Sequence, residues 1–299
     1  MKTLLLTHPM RPGYFTKAIH AIAPDVEVVE HRPDMSAAEL AEIEVVLGWR
    51  FPSGVAGSLP NLQWVCSVAA GVEKLLVSDL AAHVPVSRIV DDEQADGIAQ
   101  FVVLMALRHV RDLVGYEALQ RERAWKRQPV GAVRSRVAVL GMGTMGGAVA
   151  RLLGGVGFDV RGWSRSAGTP LDEVLADADI VVCALPLTAQ TDSLLDARAF
   201  ALMPEGSYLI NIARGAHVVE HDLIAAVASG HLAGAALDVQ RNEPMAADDP
   251  LWSVPGITIT PHIAAQSSPQ TIAAQFVAGL RCVQRGEAPP QQVDRACGY

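Results

Sequence analysis

The sequence predicts an α/β chain with two doubly wound parallel sheets, and three observations carry that reading. Short apolar runs alternate with helix-like segments along nearly the whole length, the rhythm of parallel strands joined by crossover helices. The stretch Val137–Gly147, VAVLGMGTMGG, joins an apolar run to a helix start through three spaced glycines. The chain has 299 residues, half of them hydrophobic, a length better suited to two moderate cores than to one oversized core.

In order, the first part reads as strand Thr3–Thr7, helix Tyr14–Ile22, strand Val26–Val29, helix Ala37–Ile43, and strands Val45–Leu47 and Leu62–Ser67. The last strand runs into Val68-Ala-Ala-Gly-Val72. Small side chains there leave backbone N–H groups exposed, so this loop reads equally as a simple turn or as a cradle for a carboxylate. Gln94–Arg123 lacks proline and carries apolar residues at Ile98, Val102, Leu104, Met105, Leu107 and Val110. That predicts a single long helix with more than one apolar face, buried between domains or subunits. Gln128–Val133 reads as a loop leading into the glycine-bearing strand. Beyond it follow strand Asp159–Trp163, helix Leu171–Leu175, strand Ile180–Leu185, helix Ala197–Leu202 and strand Tyr208–Ile212. Helix Glu220–Ser229, strands Ala233–Leu237 and Ile257–Thr260, and helix Pro269–Arg285 complete the pattern.

Composition removes several function classes. A net charge of −8 with no block of like charges argues against a nucleic-acid surface. The four cysteines include no C-x-x-C pair, and Cys183 lies in an apolar run, which fits reduced thiols in a cytoplasm. The opening MKTLLLTHPM has too short an apolar run for a signal peptide. No uncharged run approaches the ~20 residues of a membrane span. A soluble cytoplasmic protein without a metal site is therefore expected.

Within Val137–Gly147 the glycines fall in G-x-G-x-x-G spacing. Gly141 allows a sharp turn, Gly143 lets a pyrophosphate approach the backbone, and Gly146 lets helix and strand pack closely. The following helix start faces the phosphates with unpaired N–H groups and the positive end of its dipole. Between a strand and a helix, this pattern points to dinucleotide binding.

Functional residues in such a sheet collect beyond the C-terminal strand ends. Three loops there carry Arg214, Glu243 and His262. An arginine can grip a 2-oxo acid's carboxylate and carbonyl oxygen in a forked, charge-assisted contact. A histidine can protonate the carbonyl oxygen as hydride arrives, since its ordinary pKa lies near neutrality. A glutamate on the other ring nitrogen favours the charged ring.

Asn211-Ile-Ala-Arg-Gly215, Leu237-Asp-Val239 with Glu243-Pro244, and Thr260-Pro-His-Ile-Ala264 resemble the signatures of the D-isomer-specific 2-hydroxyacid dehydrogenases. Trp163-Ser-Arg-Ser166, Leu185–Thr191 and the ending Gln292–Ala296 are most similar to the bacterial branch that reduces glyoxylate and hydroxypyruvate. The resemblance implies a Rossmann-type dinucleotide-binding domain, 98–274, inserted into a flavodoxin-like substrate domain, 1–97 and 275–299. It implies Arg214, Glu243 and His262 as catalytic residues, with Trp49, Ala70, Gly71 and Arg214 binding a small 2-oxo acid. It places Asp238 at the nicotinamide carboxamide, and further cofactor contacts at Gly141, Gly143, Thr144, Met145, Gly146, Leu185, Pro186, Thr191, Ile212, Ala213, His262 and Ala264. It implies, too, a homodimer built around Gln94–Arg123. Dehydrogenases of other D-2-hydroxy acids, such as 3-phosphoglycerate or D-lactate, are the neighbouring alternatives. A nucleotide-sensing co-repressor is a remoter one, since a binding module needs none of the three catalytic residues.

The cofactor segment departs from the wider family. Ser164, Arg165 and Ser166 stand where many members carry an acidic residue, and Asp159 sits at the strand's start. A carboxylate there accepts hydrogen bonds from the ribose of NAD and repels a 2′-phosphate, whereas arginine does the reverse. NADPH is therefore expected as cofactor, with NADH weaker.

Overall fold

The computed structural model describes residues 1–127 and 135–295. The loop predicted over Gln128–Val133 lies outside the described residues, as does Ala296. The chain forms two compact units, one of Met1–Asp91 with Gln266–Tyr299 and one of Asp92–Ala265. The boundaries expected after residues 97 and 274 would each cut a helix. The observed boundaries fall at or just before the starts of those helices, so each helix stays whole within one unit.

The first unit contains β1 (Lys2–Leu6), α1 (Pro12–Ile22), β2 (Val28–Glu30), α2 (Ala37–Ala41), β3 (Ile43–Gly48), β4 (Trp64–Ser67) and β5 (Val86–Ser87). The strands pair in parallel in the order β2-β1-β3-β4-β5, the flavodoxin-like arrangement. Period-two alternation serves both faces of the sheet. Leu5, Val45 and Leu47 join α1 and the C-terminal helix Pro269–Gln284 in one core. Leu4, Leu6 and Val46 face a second core with Leu75 and Leu80. Trp64 stacks on Phe276 with centroids 5.4 Å apart, and its indole N–H donates to Ser87 Oγ at 3.1 Å. Gly279 permits this, since a Cβ there would lie 2.6 Å from the Trp64 ring.

The second unit opens with α3 (Asp92–Val110) and α4 (Leu113–Arg121), then β6 (Arg136–Leu140), α5 (Thr144–Gly155) and β7 (Asp159–Trp163). It continues through α6 (Leu171–Ala176), β8 (Ile180–Cys183), α7 (Ala197–Leu202), β9 (Ser207–Asn211), α8 (Glu220–Ala228), β10 (Leu232–Leu237) and β11 (Ile257–Ile259). Its parallel sheet has the order β11-β10-β9-β8-β6-β7. The chain winds outward from β6 to β7 and then crosses back to β8. This puts the switch point between β6 and β8, where such sheets bind ligands. One core lies between the sheet and α6, α7 and α8, the other between the sheet and α3 with α5.

The helix predicted over Gln94–Arg123 is in fact two. Asp112 stands between α3 and α4 at φ 48°, ψ 43°, and its carboxylate accepts from Gly115 N at 3.2 Å as the cap of α4. Aspartate tolerates the left-handed conformation, and its capping bond competes with continuation of α3. The surplus apolar content lies on the outer face, where Leu104 is 56% and Leu107 38% exposed while Val102 and Ala106 are fully buried.

Two histidines of this unit are shifted by burial. His109 stacks on Tyr208 with centroids 4.3 Å apart, and desolvation lowers its pKa from 6.5. Desolvation lowers that of fully buried His217 in the same way. A folded-state pKa below the unfolded value means the folded chain binds fewer protons. The resulting stability is present above the unfolded pKa and is lost as pH falls through and below it. The urea midpoint should therefore decrease from about pH 7.5 to about pH 5.5, and His109→Gln should flatten that slope. A midpoint constant across this range would contradict the burial argument.

Candidate active site

The glycine turn sits at the switch point as its spacing predicts. Gly141 has φ 98°, donates its N–H to Trp163 O at 2.8 Å, and follows Leu140, whose carbonyl accepts from Ala184 N at 2.8 Å. The ends of β7, β6 and β8 are thereby tied together. A Cβ on Gly141 would lie 2.6 Å from Ala184 O, and one on Gly146 would fall on Gly141 O. By contrast, nothing lies within 4 Å of a Cβ on Gly143. Gly143 is the N-cap of α5 without a side-chain cap, and no acid occupies the first turn, which begins Thr144-Met145. The turn thus combines open backbone with the positive end of a 12-residue helix, a cradle fitted to a pyrophosphate.

Ser164, Arg165 and Ser166 leave the end of β7 beside this turn, with the two serine hydroxyls 3.2 Å apart. Trp163 Nε1 donates to Thr169 O at 3.0 Å, which anchors the segment. Asp159 pairs in register with Arg136 at the opposite end of the strand. Across the switch point, Leu185 is 7% and Thr191 3% exposed. The Thr191 hydroxyl donates to Pro186 O at 2.7 Å and accepts from Thr188 N at 2.8 Å. It therefore shapes the loop from within.

Arg214, Glu243 and His262 stand beyond the ends of β9, β10 and β11, which are neighbours. His262 Nδ1 lies 3.0 Å from Glu243 Oε2. A carboxylate at Nδ1 fixes the proton on that atom and leaves Nε2 as the nitrogen that can exchange one. The His262 and Glu243 side chains are 33% and 25% exposed, sheltered yet reachable. His262 adopts φ 56°, a conformation costing on the order of 1–3 kcal/mol for a non-glycine residue.

Asp238 holds it there. Its Oδ1 accepts from Thr260 Oγ1 at 2.6 Å and Ile263 N at 2.9 Å, its Oδ2 from Ala264 N at 2.9 Å, and its carbonyl from His262 N at 2.8 Å. Gln240 adds a further brace, donating from Nε2 to Leu237 O and from its backbone to Glu243 Oε1.

Arg214 follows β9 and is half-buried, with Nη1 donating to Ala213 O at 2.7 Å. Buried Ile212 and Ala213 lead into it. Asn211 shapes the turn by accepting from Ala213 N at 3.1 Å and donating to Arg214 O at 3.0 Å. Gly215 is required because a Cβ there would fall on the Gln240–Arg241 backbone. Close contact between the Arg214 and Glu243 loops depends on that missing atom.

In the other unit, Trp49 follows β3 with Lys74 Nζ 5.1 Å from its ring centroid. Ser67 Oγ donates to Gly71 O at 2.8 Å and accepts from Ala69 N at 3.0 Å. The Val68–Val72 loop is thus a held bend, and the amides of Ala70 and Gly71 donate to no group among the described residues.

Sequence reasoning gave no role to Thr260, Gln240 or His217, although Thr260 stands inside a quoted motif. Thr260 and His217 act through Asp238 and Pro186, 22 and 31 positions away, which spacing alone does not reveal, while Gln240 braces its own loop.

A doubly wound unit with a pyrophosphate cradle at its switch point and an arginine, a glutamate–histidine pair and a braced aspartate at adjoining strand ends defines a nicotinamide-linked oxidoreductase. Residues 103–264 match the family described as D-isomer specific 2-hydroxyacid dehydrogenase, NAD binding domain, and the chain belongs to that family. It is 35% identical to glyoxylate/hydroxypyruvate reductase A of Serratia proteamaculans (strain 568), over 86% of this chain and 88% of that protein. Among solved structures it is similar to a D-isomer specific 2-hydroxyacid dehydrogenase from Xanthobacter autotrophicus Py2 in complex with NADPH and MES. That match has a TM-score of 0.90 at 36% identity, covering 100% of this chain and 99% of the other. An NADPH-dependent glyoxylate/hydroxypyruvate reductase from Sinorhizobium meliloti, in complex with NADP and sulfate, matches with TM-score 0.91 at 29% identity, covering 100% of both chains.

Proposed function

We propose that this chain reduces a small 2-oxo acid, glyoxylate or hydroxypyruvate, to the 2-hydroxy acid with NADPH. The observation that carries the chemistry is the Glu243–His262 pair, 3.0 Å apart, held beside the Arg214 loop. The relatives named above support the substrate and cofactor. When bound, the reduced nicotinamide supplies the hydride. Arg214 grips the carboxylate and the carbonyl oxygen, and His262 delivers the Nε2 proton to that oxygen as negative charge develops on it. Glu243 stabilises the charged ring and fixes its orientation. Gly141, Gly143, Thr144, Met145 and Gly146 hold the pyrophosphate, and Leu185, Pro186, Thr191, Ile212, Ala213, Asp238 and Ala264 line the remainder of the cofactor's path. The amides of Ala70 and Gly71, with Trp49, take part in binding the oxo acid.

Cofactor choice rests on Ser164, Arg165 and Ser166, which bind the 2′-phosphate in this reading. A charge-assisted hydrogen bond contributes about 1.5–3 kcal/mol, roughly ten- to a hundredfold in affinity. The contact is remote from the reacting carbon, so its loss should appear in KM. Initial rates with glyoxylate, hydroxypyruvate and phenylpyruvate, each with NADPH and NADH, test the proposal. We expect kcat/KM to favour the two small acids and NADPH, and Arg165→Ala to raise the NADPH KM about ten- to a hundredfold with little change for NADH. A preference for phenylpyruvate, or a cofactor ratio untouched by Arg165→Ala, would refute it.

The same reading includes a cytoplasmic homodimer. Exposed Leu104, Leu107, Leu113, Val114 and Tyr116 on α3 and α4, with Trp125 beyond, supply an apolar face suited to a second copy. The free thiols of Cys66, Cys183 and Cys282 suit a reducing compartment.

A further inference from the structure

His217 is fully buried and lies between two loops of the site. Arg214 N donates toward its Nδ1 at 3.3 Å, and its Nε2 lies 3.3 Å from Pro186 O. Nδ1 lies 2.9 Å from Arg214 O as well, so it faces both backbone groups of that residue. A neutral imidazole carries one N–H: on Nε2 it is accepted by Pro186 O while Nδ1 takes the Arg214 amide, and on Nδ1 it is accepted by Arg214 O. Pro186 O also accepts from Thr191 Oγ1 at 2.7 Å. The ring thus links the backbone entering Arg214 to the loop beyond β8.

We infer that His217 is a positioning residue whose buried ring bridges the Arg214 backbone and the Pro186 carbonyl and so aims the Arg214 side chain. This rests on the reading of Arg214 as the oxo-acid ligand.

The groups facing the ring are Arg214, Asp192 and Arg241. Arg241 donates to Ala216 O at 2.7 Å and Val218 O at 3.3 Å on either side of His217, and pairs with Asp192 at 3.4 Å. Burial keeps the ring neutral and Arg214 acts in the same direction, while the two backbone bonds and Asp192 oppose them.

The test compares His217→Leu, which removes both ends of the bridge, with His217→Asn, whose side-chain oxygen can still accept from the Arg214 amide. His217→Leu should raise the KM for glyoxylate about five- to tenfold, the worth of one lost hydrogen bond. His217→Asn should restore it to within about threefold. An unmoved glyoxylate KM in His217→Leu, or no rescue by asparagine, overturns the inference. Arg214→Ala is the control: if it too leaves the glyoxylate KM unchanged, the reading of Arg214 has failed instead. Should the variants not fold, ¹⁵N spectra of the unmodified enzyme's histidines at neutral pH decide. A His217 ring N–H protected from solvent exchange is expected, and one that exchanges freely overturns the inference.

Discussion

Replacing His262 by alanine should lower kcat by about 10²–10⁴, the usual worth of a positioned general acid, while the KM for NADPH stays close to that of the unmodified enzyme. The ring's Nε2 gives the proton in the proposed reaction, and His262 is the imidazole that these loops hold against a carboxylate, the His221–Asp222 contact lying on α8. Alanine also loses stability at φ 56°, so the loss of rate needs a partner variant. Asparagine tolerates the left-handed region better than alanine and fits the same backbone, yet is no proton donor of suitable acidity. His262→Asn should therefore keep its melting temperature and lose the rate as severely. Glu243→Gln should do less damage, since an amide can still contact Nδ1 but no longer stabilises the charged ring. Single-turnover rates for the three variants check this ordering. Near-normal kcat in His262→Asn would show that the proton comes from elsewhere.

The legibility of this candidate site in the sequence has a physical source. In a parallel sheet each strand is a short apolar run, and the residue just past it stands at the sheet's C-terminal edge. Arg214, Glu243 and His262 were therefore placeable from strand ends alone, and β9, β10 and β11 are indeed adjacent. What spacing could not supply was the bracing. Asp238 takes three donors from Thr260, Ile263 and Ala264, and nothing in its sequence neighbourhood announces that. His217 is buried between loops that leave two different strands, and the sequence shows it only as a histidine two positions after Gly215. The break between α3 and α4 was hidden for another reason. Helical periodicity continues across Asp112, and only its left-handed backbone reveals that capping has won over continuation.

The glycine turn gives a prediction in which one substitution has opposite consequences at two places. Gly146→Ala should destabilise the protein strongly, because its Cβ would fall on the carbonyl of Gly141 and both are backbone-anchored at the end of β6. Overpacking of this kind costs about 3 kcal/mol or more. For a domain of about 150–250 residues each kcal/mol lowers Tm by roughly 2–4 °C, so the expected fall is roughly 6–12 °C or more. Gly143→Ala should leave Tm nearly unchanged in the absence of cofactor. Nothing lies within 4 Å of its Cβ, and its φ of −73° suits any residue. What that Cβ would occupy is the approach of the pyrophosphate to the helix start. NADPH raises Tm in proportion to its preferential binding to the folded state, and in Gly143→Ala that increment should largely vanish. Melting curves with and without NADPH separate the two effects. A stable Gly146→Ala would mean that the turn is looser than its geometry indicates, and a Gly143→Ala protein still stabilised by NADPH would move the pyrophosphate away from this turn.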